Sequence, residues 1–373
     1  MARHEIVYRT GVGVALGAFL LFGLRGFSVD DNRPQPPAIT PQMMDAMKVL
    51  PGGLAALPAV TIPADNPQTP AKIELGKKLF FDTRLSLDRS SSCATCHSPE
   101  KAFADGLPRA RGFQGATLSR NSPTVLNAAY NSAQFWDGRA ATLDEQCKGP
   151  LLAPAEMNML DEKHLVDRLN SIPGYRHEFQ SVFGSSPSLD GVTRAVAAYE
   201  RTLVTPDSRF DHYAMGDKKA LTDAEKRGLI LFIGKAACSE CHNGPNFTDN
   251  KYHNLGILPA HGSLDDVGRF AITKNSEDRN AFKTPTLRNV ALTGPYMHDG
   301  SSATLEEVVE LYDRGGDDAP NKSKLIYKLN LSSQEKADLV AFMKSLNGTL
   351  PQTKAPAMYP EADLHPKGEL GPR

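Results

Sequence analysis

Cys93-Ala-Thr-Cys96-His97 is answered further along the chain by Cys238-Ser-Glu-Cys241-His242, with the same spacing of two thiols and an imidazole. In this pattern the thiols add to the vinyl groups of a haem, and the histidine takes one axial position on the iron. A lone Cys-x-x-Cys also serves as half of a zinc site or as a redox pair. Here each copy carries the trailing histidine, and neither sits in a β-α-β pattern. The spacing predicts two covalent haems, attached at Cys93 and Cys96 and at Cys238 and Cys241, with His97 and His242 as proximal ligands. The opposite face of each iron decides the chemistry. A filled face gives an electron carrier, and an open face gives a catalyst.

The flanks of the two motifs repeat as well. Gly76-Lys-Lys-Leu79-Phe80 precedes the first motif and Gly228-Leu-Ile-Leu231-Phe232 precedes the second. Downstream, Pro123-Thr-Val-Leu-Asn127 matches Pro285-Thr-Leu-Arg-Asn289. Without a gap, Trp136-Asp-Gly then matches His298-Asp-Gly, and Thr142-Leu143-Asp-Glu145 matches Thr304-Leu305-Glu-Glu307. Agreement in identity and spacing over this length argues for an internal duplication. Thr222 with Glu225, Thr304 with Glu307 and Ser332 with Glu335 read as capping boxes that start helices. Leu305, Val308, Val309 and Tyr312 then fall on one helical face. Gly315-Gly316 ends that helix, and the last helix runs on to Gly348. The expected fold is mainly α: two cytochrome c-like domains, each with one c-type haem.

The ungapped match places Tyr312 opposite Pro150. A phenolate binds ferric iron, whereas proline offers no donor. If both positions face their haems, the second iron is closed and the first is open. Tyrosines also simply pack in cores, and His253, His261, His298, Met297 and Met343 compete as ligands. Histidine or methionine is the commoner cytochrome choice. An open site needs an acid–base group. Glu156 is the candidate, just beyond Pro150, since a carboxyl over a haem in a partly dry pocket has a raised pKa. Gln146 is a second polar candidate. Trp136, the only tryptophan, reads either as core or as an aromatic bridge between the haems.

The chain has 373 residues, with 42 basic and 43 acidic side chains and a net charge of -1. That balance gives no case for a nucleic-acid partner. The fifth cysteine, Cys147, leaves no disulfide framework and reads as a small buried hydrophobe. Residues 1–29 hold an uncharged run, Gly11 to Leu24, read as a signal h-region or a membrane anchor. Residues 30–70 are Pro-rich and read as a tether. The domains are expected at 71–215 and 216–350, with a tail at 351–373. Covalent haem attachment implies export, hence a periplasmic enzyme.

Arg120-Asn121-Ser-Pro-Thr124, Phe135-Trp136-Asp-Gly-Arg139, Lys148-Gly-Pro150, Pro154-Ala-Glu156-Met157 and Pro295-Tyr-Met-His298-Asp-Gly300 resemble the bacterial di-haem cytochrome c peroxidase and MauG superfamily. The resemblance covers about Ile73 to Gly348. It implies that Glu156 is the acid–base group of a hydrogen peroxide site lined by Gln146 and Pro150, and that Trp136 relays charge between the haems. It implies a calcium ion held by the Asn121 side chain and the carbonyls of Thr293 and Pro295, oxygen donors that suit a hard cation. The loop Leu107 to Arg120 contains no histidine, so the first haem is expected to be open without reductive activation. Tyr312 occupies the position that supplies methionine in the peroxidases needing activation and tyrosine in MauG-like members. The implied enzyme cleaves peroxide at the open haem and stores or relays oxidising equivalents through a tyrosine-ligated one. It would draw electrons from a cytochrome c, a cupredoxin or a protein substrate. Two other readings share these motifs. One is peroxide detoxification fed by a soluble cytochrome c or cupredoxin. The other is a non-enzymatic di-haem electron carrier or redox sensor.

Overall fold

Thr69 caps helix α1 (Pro70–Phe81), its hydroxyl accepting from the Lys72 amide, and Pro70 supplies the preset φ of the first turn. The computed structural model describes residues 39–257 and 266–360. Helices α1, α2 (Leu143–Leu152) and α3 (Leu189–Glu200) frame the first haem motif. Helices α4 (Asp223–Ile233), α5 (Leu305–Arg314) and α6 (Ser333–Lys344) frame the second. One antiparallel strand pair, Tyr252–His253 with Phe282–Lys283, is added to the second set. The mainly α, duplicated cytochrome c-like fold expected from the motifs is the fold observed.

The duplication extends to atomic detail. Where α1 crosses α3, a Cβ on Gly76 would lie 1.8 Å from the Ala195 carbonyl oxygen. Where α4 crosses α6, a Cβ on Gly228 would lie 2.0 Å from the Asp338 carbonyl oxygen. Behind the first crossing, the Phe80 ring sits 5.3 Å from Tyr199 and 6.5 Å from Phe103. Behind the second, the Phe232 ring sits 5.1 Å from Phe342 and 6.0 Å from Phe247. Asn127 and Asn289 share a left-handed φ of 59°, and Phe135 (68°) matches Met297 (72°). Thr142 and Thr304 cap α2 and α5 by accepting from the Glu145 and Glu307 amides. The return bond goes one residue further back than a capping box requires. Glu145 and Glu307 accept from the amides of Ala141 and Ala303. The boxes at Thr222 and Ser332 are complete.

Among the described residues, two large apolar cores result beside a small cluster of Ala128, Leu143 and Ala197. One is drawn from Leu75 to Leu203 and includes Cys147, buried as expected of a small hydrophobe. The other joins Phe210–Leu346 to Met44, Leu50 and Leu54. That last trio comes from the segment 30–70 expected as a tether. Pro41–Ala46 is a short helix capped by Thr40. Asp45 accepts from Tyr213 (2.8 Å) and Lys226 (2.9 Å), and the Ala55 carbonyl accepts from Arg288 (3.0 Å). Proline-rich chain hides such docking because it works through isolated apolar side chains and backbone carbonyls, which leave no periodic signal. The described part of the tail, 351–360, also docks. The Tyr359 hydroxyl accepts from Lys78 (2.7 Å) and donates to Glu178, and its ring lies 5.1 Å from Tyr175. The expected signal or anchor at 1–29 lies outside the described residues. Among those described, no helix is long and apolar enough to cross a membrane.

Candidate active site

Each Cys-x-x-Cys-His forms a tight turn that delivers its histidine. The His97 amide donates to the Cys93 carbonyl (2.9 Å) and the His242 amide to the Cys238 carbonyl (2.8 Å). His97 Nδ1 lies 3.3 Å from the Phe103 carbonyl, and His242 Nδ1 lies 3.1 Å from that of Phe247. Phe103 and Phe247 adopt left-handed φ of 57° and 52°, which aims those carbonyls inward. Burial lowers both imidazoles to about 4, so both are neutral at physiological pH. Nδ1–H is donated to the carbonyl and the Nε2 lone pair is left for a metal. Each imidazole opens onto a cavity, of about 70 Å³ at His97 and about 230 Å³ at His242. Free thiols beside a neutral imidazole at a cavity wall are the donor set that covalent haem requires, so the residues fit the group.

The two cavities differ in what faces their histidines. Tyr312 lines the larger cavity together with Cys238, Cys241 and His242. Its hydroxyl has no hydrogen-bond partner among the described residues, and burial raises its pKa. The competing ligands stand nearby in various states. His253 Nε2 pairs with Asp249 (2.9 Å), and His298 stacks on Phe282 at 3.7 Å. Met297 and Met343 line the same cavity. His261 lies outside the described residues.

At the smaller cavity the structure brings together His97, Phe135, Trp136 and Gln146. Pro150 and Glu156 stand outside its walls. Pro150 is embedded in α2, and its carbonyl accepts from the Met157 amide at 3.1 Å. The Phe135 ring packs on that helix, 3.2 Å from where a Cβ on Gly149 would lie, with the Arg139 guanidinium 3.4 Å over its face. Glu156 is half-buried and acts electrostatically on the Cys96 sulfur. Burial raises its pKa against a smaller lowering by Arg139.

Trp136 and Lys283 line both cavities. The Lys283 amide donates to the Trp136 carbonyl (2.7 Å), and Trp136 Nε1 donates to the Asn121 carbonyl (3.0 Å). Lys283 is buried, and desolvation pushes its ammonium down to about 8. Asn121, Thr293 and Pro295 share the wall of the larger cavity. Asn121 Nδ2 donates to the Leu107 carbonyl (2.8 Å), which leaves its side-chain oxygen for a cation. Lys283 and the buried Glu200, on the smaller cavity's wall, were missed by the sequence reading. Their signal was available only as a charge embedded in otherwise apolar flanks.

Comparison with known proteins agrees with this geometry. The family profile described as "Di-haem cytochrome c peroxidase" matches residues 70–219, and "Cytochrome c" matches residues 226–347. The chain is 44% identical to "Methylamine utilization protein MauG" of Methylorubrum extorquens, over 79% of this chain and 84% of that one. It is 42% identical to "Cytochrome-c peroxidase IdrP1" of Pseudomonas sp. strain SCT (80% and 86%) and 40% identical to "Cytochrome c551 peroxidase" of Nitrosomonas europaea (84% and 90%). Among solved structures, a MauG-like protein associated with microbial copper homeostasis is similar at TM-score 0.73 and 36% identity, covering 79% of this chain and 94% of that one. The diheme peroxidase BthA from Burkholderia thailandensis is similar at TM-score 0.66 and 27% identity, covering 80% and 92%.

Proposed function

We propose a division of labour between two haems, taking as premise that this chain belongs to the di-haem cytochrome c peroxidase family and is a haem peroxidase. Peroxide is cleaved at the His97 site, and the His242 site stores or relays the oxidising equivalents. The observation that carries this reading is the contrast at one duplicated position. Tyr312 offers its cavity a hydroxyl without a hydrogen-bond partner among the described residues, whereas Pro150 offers no donor.

Haem iron, when bound, supplies the redox chemistry that breaks the O–O bond. The residues of the chain do the rest. His97, fixed by the Phe103 carbonyl, would supply a nitrogen ligand to that iron. Glu156 takes the proton from one peroxide oxygen and delivers it to the departing one, a transfer suited to a carboxyl with a raised pKa. Gln146 orients the bound peroxide, and Phe135, packed on the helix that carries Pro150, limits the water around it. Trp136 spans the wall shared by the two cavities and carries charge between them. Tyr312 gives the second site a hard, anionic donor, which favours the higher oxidation state of iron. Asn121, Thr293 and Pro295 would hold a calcium ion, supplying it with oxygen donors.

E156Q should lower the peroxide-cleavage rate by about 10²–10⁴-fold. In the wild type, cleavage should fall on the acid side with an apparent pKa above the ordinary carboxylate range. A native rate in E156Q would rule out the acid–base assignment. Y312F should change the low-spin EPR signal of the ferric protein while leaving a high-spin signal in place. An unchanged low-spin signal would mean another ligand.

The enzyme is exported and acts in the periplasm. Its relatives named as cytochrome-c and cytochrome c551 peroxidases favour a soluble cytochrome c as donor. Steady-state turnover with reduced cytochrome c tests that choice against a protein substrate.

A further inference from the structure

Helices α3 and α6 are equivalent by three independent marks. They cross α1 and α4 at matching glycines, Gly76 and Gly228. They carry the matching rings Tyr199 and Phe342. They are followed by Leu203 and Leu346, whose carbonyls accept from the amides of Asn127 (2.8 Å) and Asn289 (3.1 Å). This register places Glu200 opposite Met343. Both side chains are buried, at 4% and 7% exposure, and each lines the haem cavity of its own copy. One copy thus presents a carboxyl where the other presents a thioether.

Nothing in the packing asks for a carboxyl there. Glu200 Oε2 is buried and has no hydrogen-bond partner. Its neighbour Arg201 turns away to Asp144 at 2.6 Å. Burying an unpartnered carboxyl is costly, and methionine fills the equivalent space in the second copy. Glu200 lies on the wall of the His97 cavity.

We propose that Glu200 is the group through which the His97 haem trades a proton whenever it changes oxidation state. Glu200 loses its proton to solvent as an electron leaves the haem for peroxide, and regains it as an electron arrives from the donor. In each direction one O–H bond of the carboxyl breaks or forms, and the charge gained or lost at the metal is balanced from the wall of the cavity that His97 also lines. In a low-dielectric site such compensation is strong. Burial supports the assignment, because it pushes the Glu200 carboxyl up to about 8, where a proton is readily exchanged near neutral pH. His97 and Lys283, itself pushed down to about 8 by burial, share its cavity wall. Arg201 lowers and Asp144 on α2 raises its pKa. Cys93 and Cys147 lie within its field, as does Tyr199 on its own helix. The inference requires a haem on His97 and is independent of the roles given to Glu156 and Tyr312.

The test is a spectroelectrochemical titration of the full-length di-haem protein across pH, with the two haems followed separately. The midpoint potential of the His97 haem should fall as pH rises through the window near 8, because an ionised carboxyl favours ferric iron. The limiting slope is tenfold in the ferric–ferrous equilibrium per pH unit, or about 59 mV for one electron. E200Q, and E200M as a copy of the second domain, should remove that slope and leave the His242 haem unchanged. A slope that persists in both variants, or is absent from the wild type, overturns the proposal. E156Q separates it from the proposed function, since that variant should lose peroxide cleavage and keep the slope.

Discussion

Arg288 and Asp211 are fully buried, and they face one another in an ion pair at 2.9 Å. Arg288 also donates to the carbonyls of Pro245 (2.7 Å) and Ala55 (3.0 Å). Breaking a buried pair leaves the partner charge uncompensated, which costs far more than the pair is worth intact. R288M should therefore lower unfolding free energy by about 3–5 kcal/mol, read as a lower denaturant midpoint. Glu200 gives the pH-dependent counterpart. It keeps its proton to about 8 in the folded protein, against an ordinary value of 4.5. Its contribution to stability is complete below the lower value and is lost as pH rises through the upper one. The wild-type denaturant midpoint should thus fall between about pH 5 and about pH 9, and that of E200Q should fall less. Neither residue stood out in the sequence. The two Cys-x-x-Cys-His motifs were legible there because their spacing is itself the signal, and Tyr312 emerged from the match between the two copies. Arg288 and Glu200 carry their meaning through burial, which is set by distant segments and leaves no local pattern.

The element that most constrains each domain is the crossing of its first and last helices. At Gly76 and Gly228 the backbones approach so closely that a methyl group would overlap a carbonyl oxygen of the opposing helix. Neither helix can retreat without unpacking Phe80 from Tyr199, or Phe232 from Phe342. G76A and G228A should each destabilise by at least about 1–3 kcal/mol through overpacking. Each should also depress haem incorporation in its own domain, measured as Soret absorbance per protein with the two haems resolved by EPR. A wild-type yield in both variants would mean the crossings can slide. Helices α4, α5 and α6 were readable from their caps and apolar periodicity, including the stop of α5 at Gly315, which caps it at a φ of 83°, whereas α3 was not singled out. The last helix ends at Lys344, short of the expected Gly348. Ser345 closes it with a side-chain hydroxyl donated to the Phe342 carbonyl at 2.6 Å. A serine in that role looks like any other helix residue until its neighbours are known.

At the scale of the whole molecule the two copies interlock through equivalent parts. The Trp136-Asp-Gly turn of the first copy brings Gly138 against Tyr252 of the second, and the matching His298-Asp-Gly turn brings Gly300 against Pro108 of the first. The Asn121 amide donates to the His298 carbonyl (2.7 Å) and the Lys283 amide to the Trp136 carbonyl (2.7 Å), so each copy holds the other's turn by its backbone. Between them sits Thr205. Its amide donates to Asn127 Oδ1 (3.0 Å), its hydroxyl accepts from Asn127 Nδ2 (2.8 Å), and it donates to Asn289 Oδ1 (2.6 Å). The duplicated asparagines thus meet on one hydroxyl, and Thr205, Asn127 and Asn289 are all fully buried. T205V keeps the shape and removes the hydroxyl. It leaves one donor and one acceptor in the interior without partners, each at about 1–3 kcal/mol. Because the loss falls on the joint rather than on either core, its effect should appear in coupling. In the wild type the two haem environments should unfold together. In T205V the Soret changes of the two haems should separate along the denaturant axis. Coincident transitions at an unchanged midpoint would show that the interlocked turns alone hold the copies together.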